Sequence, residues 1–270
     1  MPAAARRWRL DVAYRGEGYH GFAVQPGTRT VAGALSEALA TVLQLPAPPP
    51  LVCAGRTDAG VHALGQVVHV DLAMPDDGGD DEAWGTRVAR SCTRLLAPSI
   101  VVRSCRPAPE GFDARHAATS RTYRYLVHEA ASPSPLLVGL AWQVAGPLDV
   151  RAMAQAAYAA LGEHDFRALC RRPSGTDAAE PIVRRVLDVA VDVVGDDLVL
   201  GADGRLIRVT IQASSFCHQM VRSFVAVLVA IGSRSLNAAD LNERLRTGDR
   251  AGLPPPAPPE GLCLVAVGYG

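Results

Sequence analysis

Cys53-Ala54-Gly55-Arg56-Thr57-Asp58-Ala59-Gly60-Val61-His62-Ala63 carries more information than any other segment of this 270-residue chain. β-like residues at 51–54 lead into it and a second β-like run at 66–72 leads out, so it reads as a short loop joining two strands. Gly55 and Gly60 bound that loop and allow tight backbone geometry. Between them stand a cation, a hydroxyl and a carboxylate: Arg56, Thr57 and Asp58. Such a set can hold a phosphate beside a nucleophile or base. The same residues also make an ordinary turn, because Asp and Thr favour turns and an exposed Arg beside an Asp contributes little. On residue chemistry alone both accounts stand.

Before the loop, residues 9–14 read as a strand and 30–45 as an amphipathic helix with Val31, Leu35, Leu39, Val42 and Leu43 on its apolar face. After it, 82–96 reads as a helix, and 100–105 and 119–128 as strands. A second series follows: a helix at 150–161, strands at 183–194 and 205–213, and a helix from about residue 215 to 231. A short helix at 238–246, a proline-rich connector at 254–259 and a strand at 262–267 complete it. Two series of similar order predict a mixed α/β (α+β) fold of two related halves, 1–107 and 108–270, that share a central sheet flanked by helices. The loop from Gly55 to Gly60 would belong to the first half.

With 49% hydrophobic residues the chain can bury a sizeable core. No run approaches the roughly 18 to 20 apolar residues of a membrane span, and Arg6, Arg7, Trp8 and Arg9 do not lead into a secretory segment. A cytoplasmic protein is expected. Cys53, Cys92, Cys105, Cys170, Cys217 and Cys263 are scattered without a C-x-x-C pair, which favours buried reduced thiols and gives no metal site. Every basic residue is Arg, since the sequence has no lysine. That excludes a Walker A loop and lysine Schiff-base chemistry. The formal charge is zero but unevenly spread. Asp76, Asp77, Asp80, Asp81 and Glu82 read as an exposed acidic loop, whereas Arg103, Arg106, Arg115, Arg121 and Arg124 make a basic stretch.

Gly55-Arg56-Thr57-Asp58-Ala59-Gly60-Val61-His62-Ala63 resembles the signature loop of the tRNA pseudouridine synthase A family. Further segments are similar to that family in the same order: Tyr14-Arg15-Gly16 with Tyr19-His20-Gly21-Phe22, then Phe112-Asp113-Ala114-Arg115, then Tyr123-Arg124-Tyr125. Gly162-Glu163-His164-Asp165-Phe166, Phe216-Cys217-His218-Gln219-Met220-Val221-Arg222 and Pro259-Glu260-Gly261-Leu262 follow. Motifs of this length in this order are far more specific than a lone glycine-bounded loop. The resemblance implies the pseudouridine synthase fold, a mostly antiparallel sheet, and a homodimer that takes tRNA. It implies isomerisation of uridines at positions thirty-eight to forty of the anticodon stem-loop, with no cofactor and no metal. Asp58 becomes the catalytic carboxylate, Tyr123 the aromatic residue beside the target base, and Arg222 the cation that holds the carboxylate ionised. Arg56, Arg115, Arg121 and Arg124 become candidates for contact with RNA phosphates, which position a nucleic acid without reading its sequence. Phe22-Ala23-Val24-Gln25, Cys92-Thr93-Arg94-Leu95 and Ser223 depart from the family pattern, away from the proposed catalytic trio.

Each assignment has a structural counterpart. Tyr123 alternates with Tyr125 on a strand, so one is expected to face the core and the other to be half-buried. His62 and His69 could join Asp58 at a metal, but a loop His and a strand His without further ligands suit structural roles better. Arg222 interrupts an apolar helix and needs an acidic partner if buried. Two rival functions follow: an RNA-binding protein without catalysis, and a carboxylate-dependent glycosidase or phosphohydrolase. The second requires another carboxylate near Asp58, for which Asp113 and Asp165 are the candidates.

Overall fold

The computed structural model describes residues 5–73, 80–172, 175, 177, 180–195 and 204–270. These form a mixed α/β architecture with a large, mostly antiparallel sheet flanked by helices, as expected. The chain divides into two compact units, one of residues 1–119 with 264–270 and one of residues 120–263.

In the first unit, β1 (Ala5–Tyr14) pairs antiparallel with β3 (His62–Ala73) on one side and β4 (Ile100–Pro107) on the other. The chain's last strand continues this order beyond β3. β2 (Val52–Cys53) is a two-residue strand whose Cys53 opposes Val68 of β3, shorter than its apolar run suggests. Helix α1 (Val31–Leu43) buries Leu35 and Leu39 and begins where the Thr30 side chain accepts the Gly33 N–H. Helix α2 (Asp81–Leu96) lies against β4, and Trp84 stacks on Trp8 with ring centroids 4.4 Å apart. Gly85 permits that approach, since a Cβ there would overlap the Cys105 carbonyl.

The described part of the acidic segment is not the loop its composition suggests. Asp76 and Asp77 lie outside the described residues, but Asp80 caps α2 by accepting the Glu82 N–H at 3.0 Å, and Asp81 and Glu82 fill the first turn. Carboxylates at a helix N-terminus meet unpaired N–H groups and the positive end of the dipole, which converts a charge run into a helix start.

The second unit is built on β5 (Ala118–Glu129), whose first residues still belong to the first unit. It adds β6 (Trp142–Val144), α3 (Val150–Tyr158), β7 (Gly162–Asp165), β8 (Val183–Val194) and β9 (Arg205–Ala213). Its strands run in the order β5-β9-β8-β7, all antiparallel, with β6 parallel to β5. Helix α4 (Met220–Gly232) is buried almost all round, Arg222 and Ala230 excepted, as befits a core helix. Helix α5 (Ala238–Thr247) carries a capping box between Asn237 and Asp240, and β10 (Leu262–Tyr269) ends the chain.

Two sequence expectations need correction here. The helix expected from residue 215 starts only at Met220, because Gln219 takes a left-handed conformation at φ 64° and His218 gives its carbonyl to the Arg171 N–H. The expected set of reduced thiols is incomplete, because Cys170 and Cys217 form a disulfide with a Cα separation of 5.8 Å; Cys53, Cys92, Cys105 and Cys263 are free. No helix among the described residues is long and apolar enough to cross a membrane.

Candidate active site

Asp58 sits in the connection from β2 to β3, half-exposed, with its backbone held from several sides. The Phe22 N–H donates to the Thr57 carbonyl at 3.0 Å, and the Val61 N–H closes a turn onto the Asp58 carbonyl at 3.2 Å. The Gly60 N–H reaches the Tyr19 carbonyl at 3.4 Å. Gly21, at φ 91°, is where the segment after β1 comes closest: a Cβ there would stand 2.8 Å from the Thr57 carbonyl oxygen. Beneath the loop, Gln66 Nε2 donates to the Gly55 carbonyl at 2.8 Å, and the Tyr14 hydroxyl meets Thr57 Oγ1 at 2.7 Å. A loop gripped at 55, 57, 58 and 60 presents its carboxylate from a fixed backbone.

The two histidines of β3 serve this frame. His62 Nδ1 accepts the Gly16 N–H and His69 Nδ1 accepts the Ala114 N–H, each at 2.9 Å, and both rings are buried. His62 opens β3 rather than lying in the loop. Burial foremost, then the Arg7 cation, lowers the His69 pKa against the pull of Asp113 and Asp71, which keeps the imidazole in the neutral form that can accept. Among the described residues no group of three or more His, Cys, Asp or Glu could hold a metal.

Arg56 and Arg115 belong to the first unit. Both are exposed, and both act on Cys53, whose thiol burial pushes up to about 11 while the two guanidiniums oppose the rise. The Arg115 backbone is fixed by its neighbours. Asp113 Oδ1 accepts the N–H groups of Arg115 and His116, each at 2.8 Å, Tyr269 donates to the Ala114 carbonyl at 2.8 Å, and Arg7 donates to the Phe112 carbonyl at 2.8 Å. The His116 N–H foremost, with that of Arg115, holds the Asp113 carboxyl below its ordinary range although burial opposes them. Asp113 is therefore a turn cap that stays ionised, unsuited to the general acid a glycosidase needs. Asp165 is likewise spent on structure, accepting the backbone N–H groups of Arg167 and Ile182 at 3.0 and 2.9 Å.

The second unit carries the remaining candidates. Tyr123, on β5, is 8% exposed and meets Phe216 edge to face at 5.1 Å. Tyr125 is buried as well and donates to the Pro258 carbonyl at 2.7 Å. The expected split between the two tyrosines does not hold, because residues two apart on a strand share a face. Arg124 takes the opposite face and is exposed, whereas Arg121 is half-buried and donates to the Ser214 carbonyl at 2.8 Å. Arg222 is half-buried in the first turn of α4, and its Nε donates to the Ala257 carbonyl at 2.6 Å. Burial first and Glu260 next raise the Tyr125 phenol pKa, with Arg222 opposing, so both charges lie within electrostatic reach of that ring. Gln66 escapes a sequence reading, its only trace a polar side chain at the head of the apolar run Val67-Val68, and Tyr14 and Phe216 stand in family-like segments without a role assigned to them.

A family model described as tRNA pseudouridine synthase matches residues 156–270. A tRNA pseudouridine synthase A of Cutibacterium acnes is 40% identical over 97% of this chain and 88% of its own length. The protein of the same name from Frankia casuarinae is 42% identical over 97% and 89%, and that from Gluconobacter oxydans 38% identical over 99% and 91%. Among solved structures, a Cas6 substrate mimic complex covers 76% of this chain and 82% of its own at 15% identity, with a TM-score of 0.20 too low to bear on either fold or function. With curated relatives at this identity along nearly the whole chain, the protein belongs to the tRNA pseudouridine synthase family.

Proposed function

We propose that this enzyme converts uridine to pseudouridine in the anticodon stem-loop of tRNA, at positions thirty-eight to forty, with Asp58 as the catalytic carboxylate. The observation that carries the reading is the Asp58 loop: its backbone is pinned by Phe22, Tyr19 and Gln66, and its Thr57 side chain by Tyr14, while Asp58 stays half-exposed. The reaction breaks the bond between C1′ and N1 of the uracil, turns the detached base and joins C5 to C1′, after which the C5 proton leaves. A fixed carboxylate suits the first step, because a preorganised group replaces a diffusive encounter. The family resemblance supplies the other roles: Tyr123 beside the flipped base, Arg222 as the cation that keeps the carboxylate ionised. Arg56, Arg115 and the exposed Arg124 suit contact with RNA phosphates, and Arg121 the edge of that set. No cofactor or metal enters the scheme, and the reading includes a homodimer in the cytoplasm.

The test is incubation of unmodified tRNA transcripts with the protein and with Asp58→Asn, followed by pseudouridine mapping at single-nucleotide resolution. Wild type should modify the anticodon arm, and Asp58→Asn should bind RNA without modifying it. Turnover by Asp58→Asn near the wild-type rate would reject the carboxylate mechanism, and modification only outside the anticodon arm would reject the assigned positions.

A further inference from the structure

The buried polar groups beneath the Asp58 loop form a connected set. Gln66 is fully buried at the head of an apolar stretch of β3, and its Nε2 donates both to the Gly55 carbonyl at 2.8 Å and to the Tyr14 hydroxyl at 3.3 Å. That hydroxyl is hydrogen-bonded to Thr57 Oγ1 at 2.7 Å. Tyr14 and Thr57 are 5% and 7% exposed, so water does not compete for these bonds. Gln66 Oε1 is buried without a hydrogen bond among the described residues. A leucine or methionine would fill the same space without that penalty but would leave the Gly55 carbonyl and the Tyr14 hydroxyl without the amide's donors. Those donors act on the residues around Arg56 and immediately before Asp58. The contacts from Phe22 and Tyr19 fix the loop from the side; Gln66 and Tyr14 fix it from below.

We infer that Gln66, Tyr14 and Thr57 act as one positioning unit that sets the Asp58 carboxylate for the isomerisation, an inference that rests on Asp58 being the catalytic group. None of the three needs to touch RNA. Their effect should therefore lie in the rate of the chemical step and not in affinity for tRNA.

Single-turnover rates at saturating tRNA, tRNA dissociation constants and thermal midpoints are to be measured for Tyr14→Phe, Thr57→Val, Thr57→Ser, Gln66→Met and the double variant Tyr14→Phe/Thr57→Val, all well below their midpoints. Tyr14→Phe and Thr57→Val should each slow the reaction about ten- to a hundred-fold, the range expected for a misplacement of about 1 Å. Dissociation constants should stay within about two-fold, since phosphate contacts elsewhere set affinity. Thr57→Ser, which keeps the hydroxyl, should recover most of the rate. The double variant should be no slower than the worse single variant, because groups acting as a unit are lost together. Multiplying losses in the double variant would overturn the unit, as would an unchanged rate in folded Tyr14→Phe or a loss confined to affinity. If Gln66→Met does not fold, the hydroxyl pair alone decides the matter. Asp58→Asn is measured alongside. If it retains turnover, the catalytic assignment fails. If it is inactive while Tyr14→Phe matches wild type, only the positioning unit fails.

Discussion

Breaking the Cys170–Cys217 crosslink should cost stability by an amount that chain length sets. The two residues are 47 apart in sequence, so the bond closes a long loop in the unfolded chain. The loop-closure relation for a segment of this length gives an entropy of about 14 cal/mol/K, or about 4 kcal/mol at 25 °C. The native side adds a local effect. Cys217 follows Phe216, which braces Tyr123, and it lies beside the Arg171 N–H bond to the His218 carbonyl. Removing the crosslink should loosen that brace as well as enlarge the unfolded ensemble. Thiol titration of the unfolded, unreduced protein should find four free cysteines, Cys53, Cys92, Cys105 and Cys263. Urea denaturation of Cys217→Ser against wild type, both without reductant, should then lower the unfolding free energy by about 2–4 kcal/mol, the usual range for such bonds. Adding reductant should bring wild type to the level of the variant. Six titratable thiols, or a loss below about 0.5 kcal/mol such as an ordinary surface substitution gives, would refute the reasoning.

Three further outcomes follow from named contacts. Gly21→Ala forces a side chain into a φ of 91° and against the Thr57 carbonyl, so it should destabilise the fold by about 1–3 kcal/mol and slow pseudouridine formation further than its stability loss explains, as denaturation and single-turnover assays would show. His69 accepts the Ala114 N–H only when neutral, and its pKa in the folded state lies below the unfolded value; its stabilisation is therefore complete above about pH 6.5 and is lost as pH falls from there toward the folded value, a loss that urea titrations should find reduced in His69→Gln. Affinity for tRNA should fall steeply with salt despite the zero formal charge, and Arg124→Gln should flatten the logarithmic slope by about one phosphate contact, whereas Arg121→Gln should flatten it less because its guanidinium already serves the Ser214 carbonyl.

Some of this architecture is legible because local signals and tertiary demands coincide. Strands β8 and β9 begin and end where the sequence places them: β9 alternates buried and half-buried residues along most of its length, and β8 buries Val186, Val189 and Val191. Where the two conflict, the sequence misleads. Residues 215–219 extend an apolar helical pattern, yet a crosslink to Cys170 and a left-handed Gln219 hold them out of α4. Asp80 and Asp81 read as part of an acidic loop just ahead of the helix expected from residue 82, because composition cannot show that their carboxylates begin that helix. The Asp58 loop divides in the same way. Its glycines and its carboxylate can be seen in the chain, but the groups that aim the carboxylate come from β1, the segment before α1, and β3, as much as 52 residues apart in the case of Tyr14 and Gln66. Gln66 carries no local signature of function, since a glutamine beside valines is an ordinary residue until its partners are known, and Tyr14, although it opens a family-like segment, shows nothing in the chain of its hydroxyl bond to Thr57. The proposed role of Asp58 thus calls on residues whose partners exist only in the folded chain, which is why the inferred unit of Tyr14, Thr57 and Gln66 should yield to double-mutant coupling rather than to motif reading.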